Sequence, residues 1–348
     1  MTCSHFRLLI GVLAFVGVAA MAHPSAAASK AGDAFEQARR LGRGINVLGY
    51  DPLWNDPASA RFQARHFRII RQGGFNSIRV NLQAFSHMND ANQLDPKWLK
   101  TVDWVVREAL AQHLRVILDE HDYNPCGRDP QGCRPRLLAF WSQIAERYRH
   151  APDGVLFEIL NEPNTGLTAE VWNSLAADAL AVIRRTNPTR AVVIGPAFWN
   201  NINYLDRLVL PEDDRNIIVT VHYYLPMTFT HQGAPWVEET KNLSGVTWGS
   251  PADLARLDED FTGVQRWAEQ HRRPILLGEF GAYDKGDMDS RARYTAAVAR
   301  AAEGRSWAWA YWQFDSDFIA YDLKHDQWVR PIWKALIPDE ADVPGQGG

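Results

Sequence analysis

Residues 156–164 read Leu-Phe-Glu-Ile-Leu-Asn-Glu-Pro-Asn. The first five residues form a short, mostly apolar run, which predicts a buried β-strand. The polar residues Asn161, Glu162 and Asn164 follow this strand directly. The apolar strand helps to predict the fold of the chain, and the polar side chains after it help to predict its chemistry.

Seven further strand-like runs alternate with helical segments. The eight predicted strands cover residues 44–47, 77–80, 116–119, 156–160, 191–195, 217–221, 275–278 and 307–311. Apolar residues recur at three- and four-residue steps in the segments 98–110 and 137–148 between them, and Ser250 before Pro251 predicts a helix start. Eight strand–helix units are typical of a closed (β/α)8 barrel, the TIM barrel of the α/β class. An open doubly wound sheet is the alternative, but residues 43–46, Arg-Gly-Ile-Asn, are not its Gly-rich phosphate turn.

The composition is that of a globular protein. The chain has 348 residues, of which 46% are apolar and 22% are charged, and its formal net charge is −4. This charge balance argues against a nucleic-acid partner. No linker or composition break divides residues 41–338, which are predicted to form one barrel domain. Fourteen Trp residues are more than a core needs, so some are expected to stack on a ligand.

The amino terminus has the features of an export signal. Residues 8–22 are continuously apolar, too short a run to span a membrane, and small residues follow them. Residues 1–28 are therefore predicted to be a secretory signal peptide, with a short membrane anchor as the alternative. Residues 29–40 are a lead-in, and residues 339–348 are expected to be a flexible tail. The mature protein is expected to be secreted or periplasmic, without stable membrane association.

Export gives a meaning to the two cysteines inside the barrel region. Cys126 and Cys133 bracket a six-residue polar loop whose Gly and Pro residues suit a tight reversal. A disulfide is chemically reasonable in an oxidising compartment. Metal ligation is the alternative, but a zinc site needs further ligands, and no Cys or His pair flanks these two thiols.

Two acidic residues end predicted strands of the barrel. Glu162 follows the fourth strand and Glu279 follows the seventh, at the end of the barrel where chemistry takes place. Glycoside hydrolysis needs two carboxyl groups across the scissile bond, one of them protonated and the other ionised. Arg79, at the end of the second strand, could keep one carboxylate ionised by charge pairing.

Four motifs resemble those of one enzyme family. Asn161-Glu162-Pro163, 278–281 (Gly-Glu-Phe-Gly), 78–80 (Ile-Arg-Val) and 222–224 (His-Tyr-Tyr) resemble glycoside hydrolase family 5, the cellulase-type retaining glycosidases with a (β/α)8 barrel. Residues 229–236, Phe-Thr-His-Gln-Gly-Ala-Pro-Trp, followed by Trp-Gly-Ser-Pro at 248–251, resemble the bacterial endo-β-1,4-glucanase branch. The resemblance extends over residues 41–338.

The resemblance implies a role for eight residues. Glu162 is the general acid/base and Glu279 the nucleophile. Arg79 and Tyr224 would position Glu279, and His222 would lie beside Glu162. Asn161 would bind the 2-hydroxyl of the reacting sugar. His121 and Trp312 would line the same subsite. The chain departs from several related enzymes at Asp122, where they carry a second His, so no hydroxyl contact is assigned to that position.

Other aromatic and acidic residues are more ambiguous. Trp199, after the fifth strand, and Trp236, after the sixth, are candidates for sugar stacking or for ordinary loop packing. Trp307 and Trp309 fit barrel packing. The cluster 119–122, Asp-Glu-His-Asp, is not expected to hold a metal, because alternate side chains of a strand point to opposite faces.

The sequence therefore predicts a retaining endo-β-1,4-glucanase that acts on a β-glucan polysaccharide or oligosaccharide, needs no cofactor or metal, and is monomeric. A β-mannanase or a broad-specificity β-glucanase on the same scaffold is the nearest alternative, because motifs do not encode sugar preference. A non-catalytic carbohydrate-binding barrel is a further alternative. A serine or metallo-hydrolase lacks its motifs, Gly-x-Ser-x-Gly and His-Glu-x-x-His.

Overall fold

The eight predicted strands all form, and they close into one parallel barrel. A computed structural model of the chain describes residues 1–2 and 33–338. Each strand pairs with the next in chain order, and β8 pairs with β1 through Arg43 and Trp309. The strands are β1 (Arg43–Val47), β2 (Ser77–Leu82), β3 (Arg115–Glu120), β4 (Val155–Glu158), β5 (Val192–Ile194), β6 (Ile217–Tyr223), β7 (Ile275–Phe280) and β8 (Ala308–Tyr311). The predicted (β/α)8 barrel is confirmed.

Eleven α-helices lie among the described residues, and all of them except α1 come after β1 in the chain. They are α1 (Ala34–Leu41), α2 (Ala64–Gln72), α3 (Pro96–Ala111), α4 (Tyr123–Arg128), α5 (Pro130–Arg147), α6 (Ala169–Arg184), α7 (Ala197–Asn200), α8 (Met227–Thr230), α9 (Pro251–His271), α10 (Met288–Glu303) and α11 (Arg330–Leu336). A small antiparallel pair, β9 (Tyr321–Asp322) and β10 (Gln327–Trp328), lies between β8 and α11. The predicted start of α9 is confirmed, since the Ser250 side chain accepts from the Asp253 amide.

Two differences from the predicted elements have a physical reason. The fourth strand ends at Glu158 rather than at Leu160, ahead of the loop in which Glu162 takes a left-handed φ of 40°. The lead-in before the barrel contains α1, which was not predicted. Its buried residues pack with the inward-facing side chains at the end of the barrel where the strands begin, in a cluster formed by Ala34, Ala38, Leu41, Ile117, Leu156, Ala191, Val193, Ile218, Leu276 and Ala308.

The predicted disulfide is present between Cys126 and Cys133, whose Cα atoms are 4.8 Å apart. The prediction of a polar loop between the two cysteines is wrong. Residues 127–128 complete α4, residues 130–132 begin α5, and Asp129 alone separates the two helices. The Asp129 side chain accepts from the Gly132 amide and caps α5, so the bond joins two helices rather than the arms of a loop.

The predicted terminal segments fall mostly outside the described residues. Residues 3–28 of the predicted signal peptide, residues 29–32 of the lead-in and the predicted tail 339–348 are not among them. Within the described part of the chain, no helix combines the length and the apolar character needed to cross a membrane. The domain boundaries drawn from the sequence remain predictions.

Helix α1 offers a test of how the base of the barrel is stabilised. Leu41 is fully buried in the cluster that α1 forms with the side chains at the start of the strands. Leu41→Ala is therefore expected to lower the free energy of unfolding by about 2–5 kcal/mol. Urea denaturation followed by tryptophan fluorescence measures this change. Phe35 on the same helix is 51% exposed, and Phe35→Ala should change stability by less than about 0.5 kcal/mol. Equal effects of the two substitutions would contradict a stabilising role for the contacts between α1 and this cluster.

Candidate active site

Eight of the ten residues predicted for the site meet at the ends of the barrel strands. Hydrogen bonds and one ring contact join six of them, and the hydrogen-bonded pair of Glu162 and His222 lies beside these six, with His222 Nδ1 3.6 Å from Glu279 Oε2. The group consists of Arg79, His121, Asn161, Glu162, His222, Tyr224, Glu279 and Trp312. These side chains come from β2, β6 and β7 and from the segments that follow β3, β4, β6 and β8, as expected for a (β/α)8 barrel.

Arg79 lies at the centre of the group and is fully buried. Its Nε donates to Glu158 Oε2 at 2.7 Å and its Nη2 to Glu158 Oε1 at 2.8 Å, so the two groups form a bidentate pair. Nη1 donates to Glu279 Oε1 at 2.8 Å and to Asn46 Oδ1 at 2.9 Å. Nη2 also donates to Asn161 Oδ1 at 2.8 Å. The guanidinium therefore links Glu158 on β4, and Asn161 after it, to the acid on β7.

Three carboxylates share this one buried cation. Besides Glu158 and Glu279, Asp119 places its Oδ2 3.1 Å from Arg79 Nη2. Burial acts to lower the pKa of Arg79, but the Asp119 and Glu158 carboxylates outweigh it and hold that pKa well above its ordinary value. A charge taken out of water is tolerated only when it is paired and hydrogen-bonded in this way.

Both oxygens of the Glu279 carboxylate are held by donors. Oε1 accepts from Arg79, and Oε2 accepts from Tyr224 Oη at 2.9 Å. His222 Nδ1 lies 3.6 Å from the same Oε2. These contacts fix the orientation of the carboxylate.

Glu162 is in a different environment. Its backbone φ of 40° is in the left-handed region that residues with a side chain rarely adopt. Two bonds hold this loop, from Asn164 Nδ2 to the Glu162 carbonyl at 2.9 Å and from the Trp199 amide to the Pro163 carbonyl at 3.1 Å. The Glu162 side chain is 14% exposed, and burial raises its pKa to about 7. A carboxyl group with this pKa can donate and accept a proton near neutral pH.

His222 connects to Glu162 as a neutral imidazole. Its Nδ1 lies 2.8 Å from Glu162 Oε1, and its Nε2 lies 3.2 Å from Asn200 Nδ2. Because an amide nitrogen only donates, Nε2 accepts and Nδ1 carries the hydrogen that is donated to Glu162. Burial lowers the pKa of His222 to about 4, which keeps the ring neutral at pH 7.

His121 and Trp312 form a stacked pair, and His121 lies next to the amide nitrogen of Asn161. The two rings are 5.6 Å apart and 6° from parallel, and Trp312 is only 7% exposed. His121 Nδ1 lies 2.6 Å from Asp119 Oδ2, and its Nε2 lies 3.4 Å from Asn161 Nδ2. Burial acts to lower the pKa of His121, but the Asp119 carboxylate outweighs it and raises that pKa.

The two glycines of the Gly-Glu-Phe-Gly motif leave room for the site. A Cβ on Gly278 would lie 2.4 Å from Thr220 Oγ1 and 3.1 Å from His222 Nε2. A Cβ on Gly281 would lie 2.5 Å from the Trp312 carbonyl oxygen. Side chains at these positions would therefore displace His222 or the segment that carries Trp312.

The remaining two predicted residues lie apart from the central group. Trp199 is 48% exposed, and only its backbone amide contacts the loop of the acid, through Pro163. Trp236 is 52% exposed and makes an edge contact with Tyr283 at 4.9 Å. Tyr50, which was not predicted, is also half-exposed and meets Trp312 edge-on at 6.4 Å. Exposed aromatic rings near a polar cleft are suited to stacking on sugars.

Glu162, His222 and Glu279 could in principle bind a cation, since one donor atom of each lies within 4.8 Å of the other two. These donors already have partners, however. His222 Nδ1 is bonded to Glu162, and Glu279 Oε2 accepts from Tyr224. The 119–122 cluster does not converge, because Asp119 and His121 point into the barrel while Glu120 accepts from the Asp122 amide. The arrangement fits two carboxyl groups that handle protons and an electrophile better than a metal site.

Three buried polar residues were missed by sequence reasoning: Asn46, Glu158 and Asn200. Glu158 could have been found, since alternation along β4 from the inward-facing Leu156 points its side chain into the barrel. Asn46 also follows from alternation on β1, whereas Asn200 lies in a segment with left-handed backbone that no sequence pattern indicated.

Comparison with known proteins identifies the family. The model of the family described as Cellulase (glycosyl hydrolase family 5) matches residues 40–317. The chain belongs to glycoside hydrolase family 5. Its curated family 5 relatives include Endoglucanase H of Acetivibrio thermocellus, 30% identical over 90% of this chain, and Endoglucanase A of Clostridium longisporum, 29% identical over 78%. The chain spans 35% of the length of the first relative and 54% of the second.

Solved structures of family 5 enzymes share the barrel. Cel5A of Thermotoga maritima in complex with cellobiose superposes with a TM-score of 0.84 and is 40% identical, over 88% of this chain and all of that one. The same enzyme in complex with mannotriose gives a TM-score of 0.84 at 39% identity and the same coverage. The family predicted from the four sequence motifs is confirmed.

The raised pKa of Glu162 predicts a pH-dependent stability difference. The folded state holds the Glu162 proton up to about pH 7, whereas an unfolded glutamate loses it near 4.5, so Glu162 destabilises the fold increasingly between these values. Glu162→Gln is therefore expected to be as stable as the wild type at pH 4 and more stable by about 2–3 kcal/mol at pH 8.

Urea denaturation of both proteins at pH 4, 6 and 8 measures this difference. Glu259 is an exposed acid on α9, 72% exposed, and Glu259→Gln serves as the control that should follow the wild type at each pH. A gap between Glu162→Gln and wild type that stays constant with pH would show that Glu162 titrates as an ordinary glutamate.

Proposed function

We propose that the protein is a retaining endo-β-1,4-glucanase that hydrolyses internal bonds of cellulose-like β-glucans by double displacement. The observation that carries the proposal is the pair Glu162 and Glu279, whose nearest carboxylate oxygens lie within 4.8 Å. Retaining glycosidases have carboxyl groups about 5–5.5 Å apart, whereas inverting enzymes leave about 6.5–9.5 Å for a water molecule.

The first step uses the difference between the two environments. Glu162, raised in pKa by burial, donates its proton to the glycosidic oxygen as the bond to the anomeric carbon breaks. Glu279, oriented by Arg79 and Tyr224, attacks that carbon with its anionic oxygen. The leaving sugar departs as an alcohol, and a covalent glycosyl-enzyme ester remains on Glu279.

The second step returns both residues to their starting state. Glu162, now a carboxylate, takes a proton from a water molecule, and the hydroxide attacks the anomeric carbon from the side that the first sugar left. The Glu279 ester bond breaks, and Glu279 leaves as a carboxylate beside Arg79. The neutral His222 hydrogen bond to Glu162 stabilises the carboxylate form during this interval. Two inversions give net retention at the anomeric carbon.

The neighbouring side chains fit a sugar in this position. The Asn161 amide nitrogen, turned away from Arg79 by the bond at Oδ1, is available to the 2-hydroxyl of the reacting ring. His121 and Trp312 line the same subsite, and Trp199 and Trp236 offer exposed rings to sugars further along the chain. The names of the relatives, endoglucanases, and the cellobiose complex of the structural neighbour support a β-1,4-glucan as substrate.

Removal of the nucleophile tests the reaction. Glu279→Gln is expected to lower kcat on carboxymethylcellulose by about 10⁴-fold or more while cellotetraose still binds, because only the attacking oxygen is lost. Reducing-sugar release and calorimetric titration measure the two quantities. Glu259→Gln, the exposed control, should retain wild-type kcat. Unchanged hydrolysis by Glu279→Gln would refute the assignment, and a wild-type protein that binds glucan without cleaving it would be a carbohydrate-binding barrel.

Azide separates the roles of the two acids. With Glu279→Ala and an activated cellobioside, azide occupies the space of the missing carboxylate and should give the α-glycosyl azide. With Glu162→Ala, azide replaces water in the second step and should give the β-glycosyl azide. The opposite pairing of products would exchange the two assignments.

A β-mannanase or broad-specificity activity is the second candidate. It is supported by the mannotriose complex of the 39%-identical structural neighbour. Initial rates on carboxymethylcellulose, mixed-linkage β-glucan and mannan distinguish the candidates, and the glucans are expected to be cleaved at least about tenfold faster, a difference of about 1.4 kcal/mol. Cleavage of mannan with inert glucans would overturn the glucanase proposal and leave the two-step mechanism intact.

We also propose that the enzyme acts outside the cytoplasm, in the periplasm or the medium, as a monomer. The Cys126–Cys133 disulfide supports an oxidising compartment. The disulfide also lies next to the segment that follows Glu162. The Gly166 amide of that segment donates to the carbonyl of Gly127, the residue after Cys126, at 2.9 Å.

A further inference from the structure

We propose that Glu158, on β4, is a positioning residue for the reaction, which holds Arg79 so that the guanidinium orients Glu279 and Asn161 together. The inference rests on the proposed glycosidase function. Glu158 belongs to none of the motifs that carry the family resemblance, and it reaches the reacting atoms only through Arg79.

The Glu158–Arg79 pair leaves the guanidinium no freedom to rotate. A guanidinium has five N–H donors in a fixed plane, and each of the five has an acceptor here. Glu158 takes two of them, one from Nε and one from Nη2, at 2.7 and 2.8 Å. The two on Nη1 go to Glu279 and Asn46, and the last one, on Nη2, goes to Asn161. The plane set by Glu158 therefore fixes the directions of the other three.

The position of Asn161 depends on the same plane. Its Oδ1 accepts from Arg79, so its Nδ2 must point the other way, toward His121 and the space for the reacting sugar. Glu158 and Asn161 are three residues apart, on either side of the turn that ends β4. Rotation of the guanidinium would disturb both the nucleophile and the 2-hydroxyl contact at once.

Glu158 also balances charge around the nucleophile. The groups that face Glu279 are Arg79, Tyr224 and His222 by contact, with the Glu162 carboxyl across the site. Of these, only Arg79 is a permanent cation. Burial raises the pKa of Glu158 to about 7 although the Arg79 guanidinium acts to lower it, and the Glu158 carboxylate, fully buried against Arg79, offsets part of that positive charge when it is ionised.

Glu158→Gln tests the inference, because it keeps the shape and removes the charge. We expect kcat to fall by about 10–100-fold, since a small misplacement of the reacting groups has effects of this size. The fall should appear in kcat rather than in KM, because the attack by Glu279 and the Asn161 contact to the 2-hydroxyl are strongest in the transition state. The alkaline limb of kcat/KM, which follows Glu162, should stay near pH 7.

Asp214→Asn provides a matched control. Asp214 forms another bidentate pair, with Arg184 Nε at 2.6 Å and Nη2 at 3.1 Å, ahead of β6 at the opposite end of the barrel from the site. Its loss is expected to lower the thermal midpoint and to leave kcat, KM and the alkaline limb unchanged. A second variant, Glu158→Asp, keeps the carboxyl group but is too short for both contacts, so kcat should fall there as well while KM stays at the wild-type value.

The outcomes are distinct. A folded Glu158→Gln with wild-type kcat overturns the positioning role, and so does a fall in kcat of the same size in Asp214→Asn. Should Glu158→Gln not fold, Glu158→Asp decides, and a wild-type kcat in that variant overturns the inference. A wild-type enzyme without turnover on any β-glucan or mannan would instead refute the proposed function.

Discussion

The bonding of Arg79 in the middle of the barrel is the constraint on which the rest of the site depends. A guanidinium with no access to water must have all its donors satisfied and its charge offset, and the barrel meets this need with side chains from several strands. The acceptors are therefore side chains from β1, β4 and β7 and from the segment after β4. They include Glu279, and the cation that the interior must neutralise is the group that orients the proposed nucleophile.

The two acids of the site differ because of what surrounds them rather than because of their chemistry. Glu279 has a cation on one oxygen and a phenol on the other. Glu162 has one neutral imidazole as its partner and is largely removed from water, which raises its pKa to about 7. Two glutamates whose nearest carboxylate oxygens lie less than 5 Å apart are thus adapted to opposite tasks, one as an anion and one as a proton donor.

Local backbone features keep the acid in place. The left-handed backbone of Glu162 is unfavourable for a residue with a side chain, and such conformations persist only where neighbouring contacts hold them. Here the holding contacts come from Asn164, from the Trp199 amide and from α4, which the disulfide joins to α5.

The fourteen Trp residues have different roles. Trp309 and most others pack the barrel, Trp312 is a buried partner of His121, and Trp199 and Trp236 are about half exposed.

The sequence by itself determined the eight strands, their closure into a barrel and the residues that end them, because strand periodicity and the polar residues after each strand are local properties of the chain. It also determined the pairing of Cys126 with Cys133. Only the tertiary structure decided that α1 fills the base, that Glu158 faces Arg79 from another strand, and that Trp312 lies beneath His121 rather than open to solvent. These features depend on contacts between residues distant in sequence, and such contacts exist only once the barrel has closed.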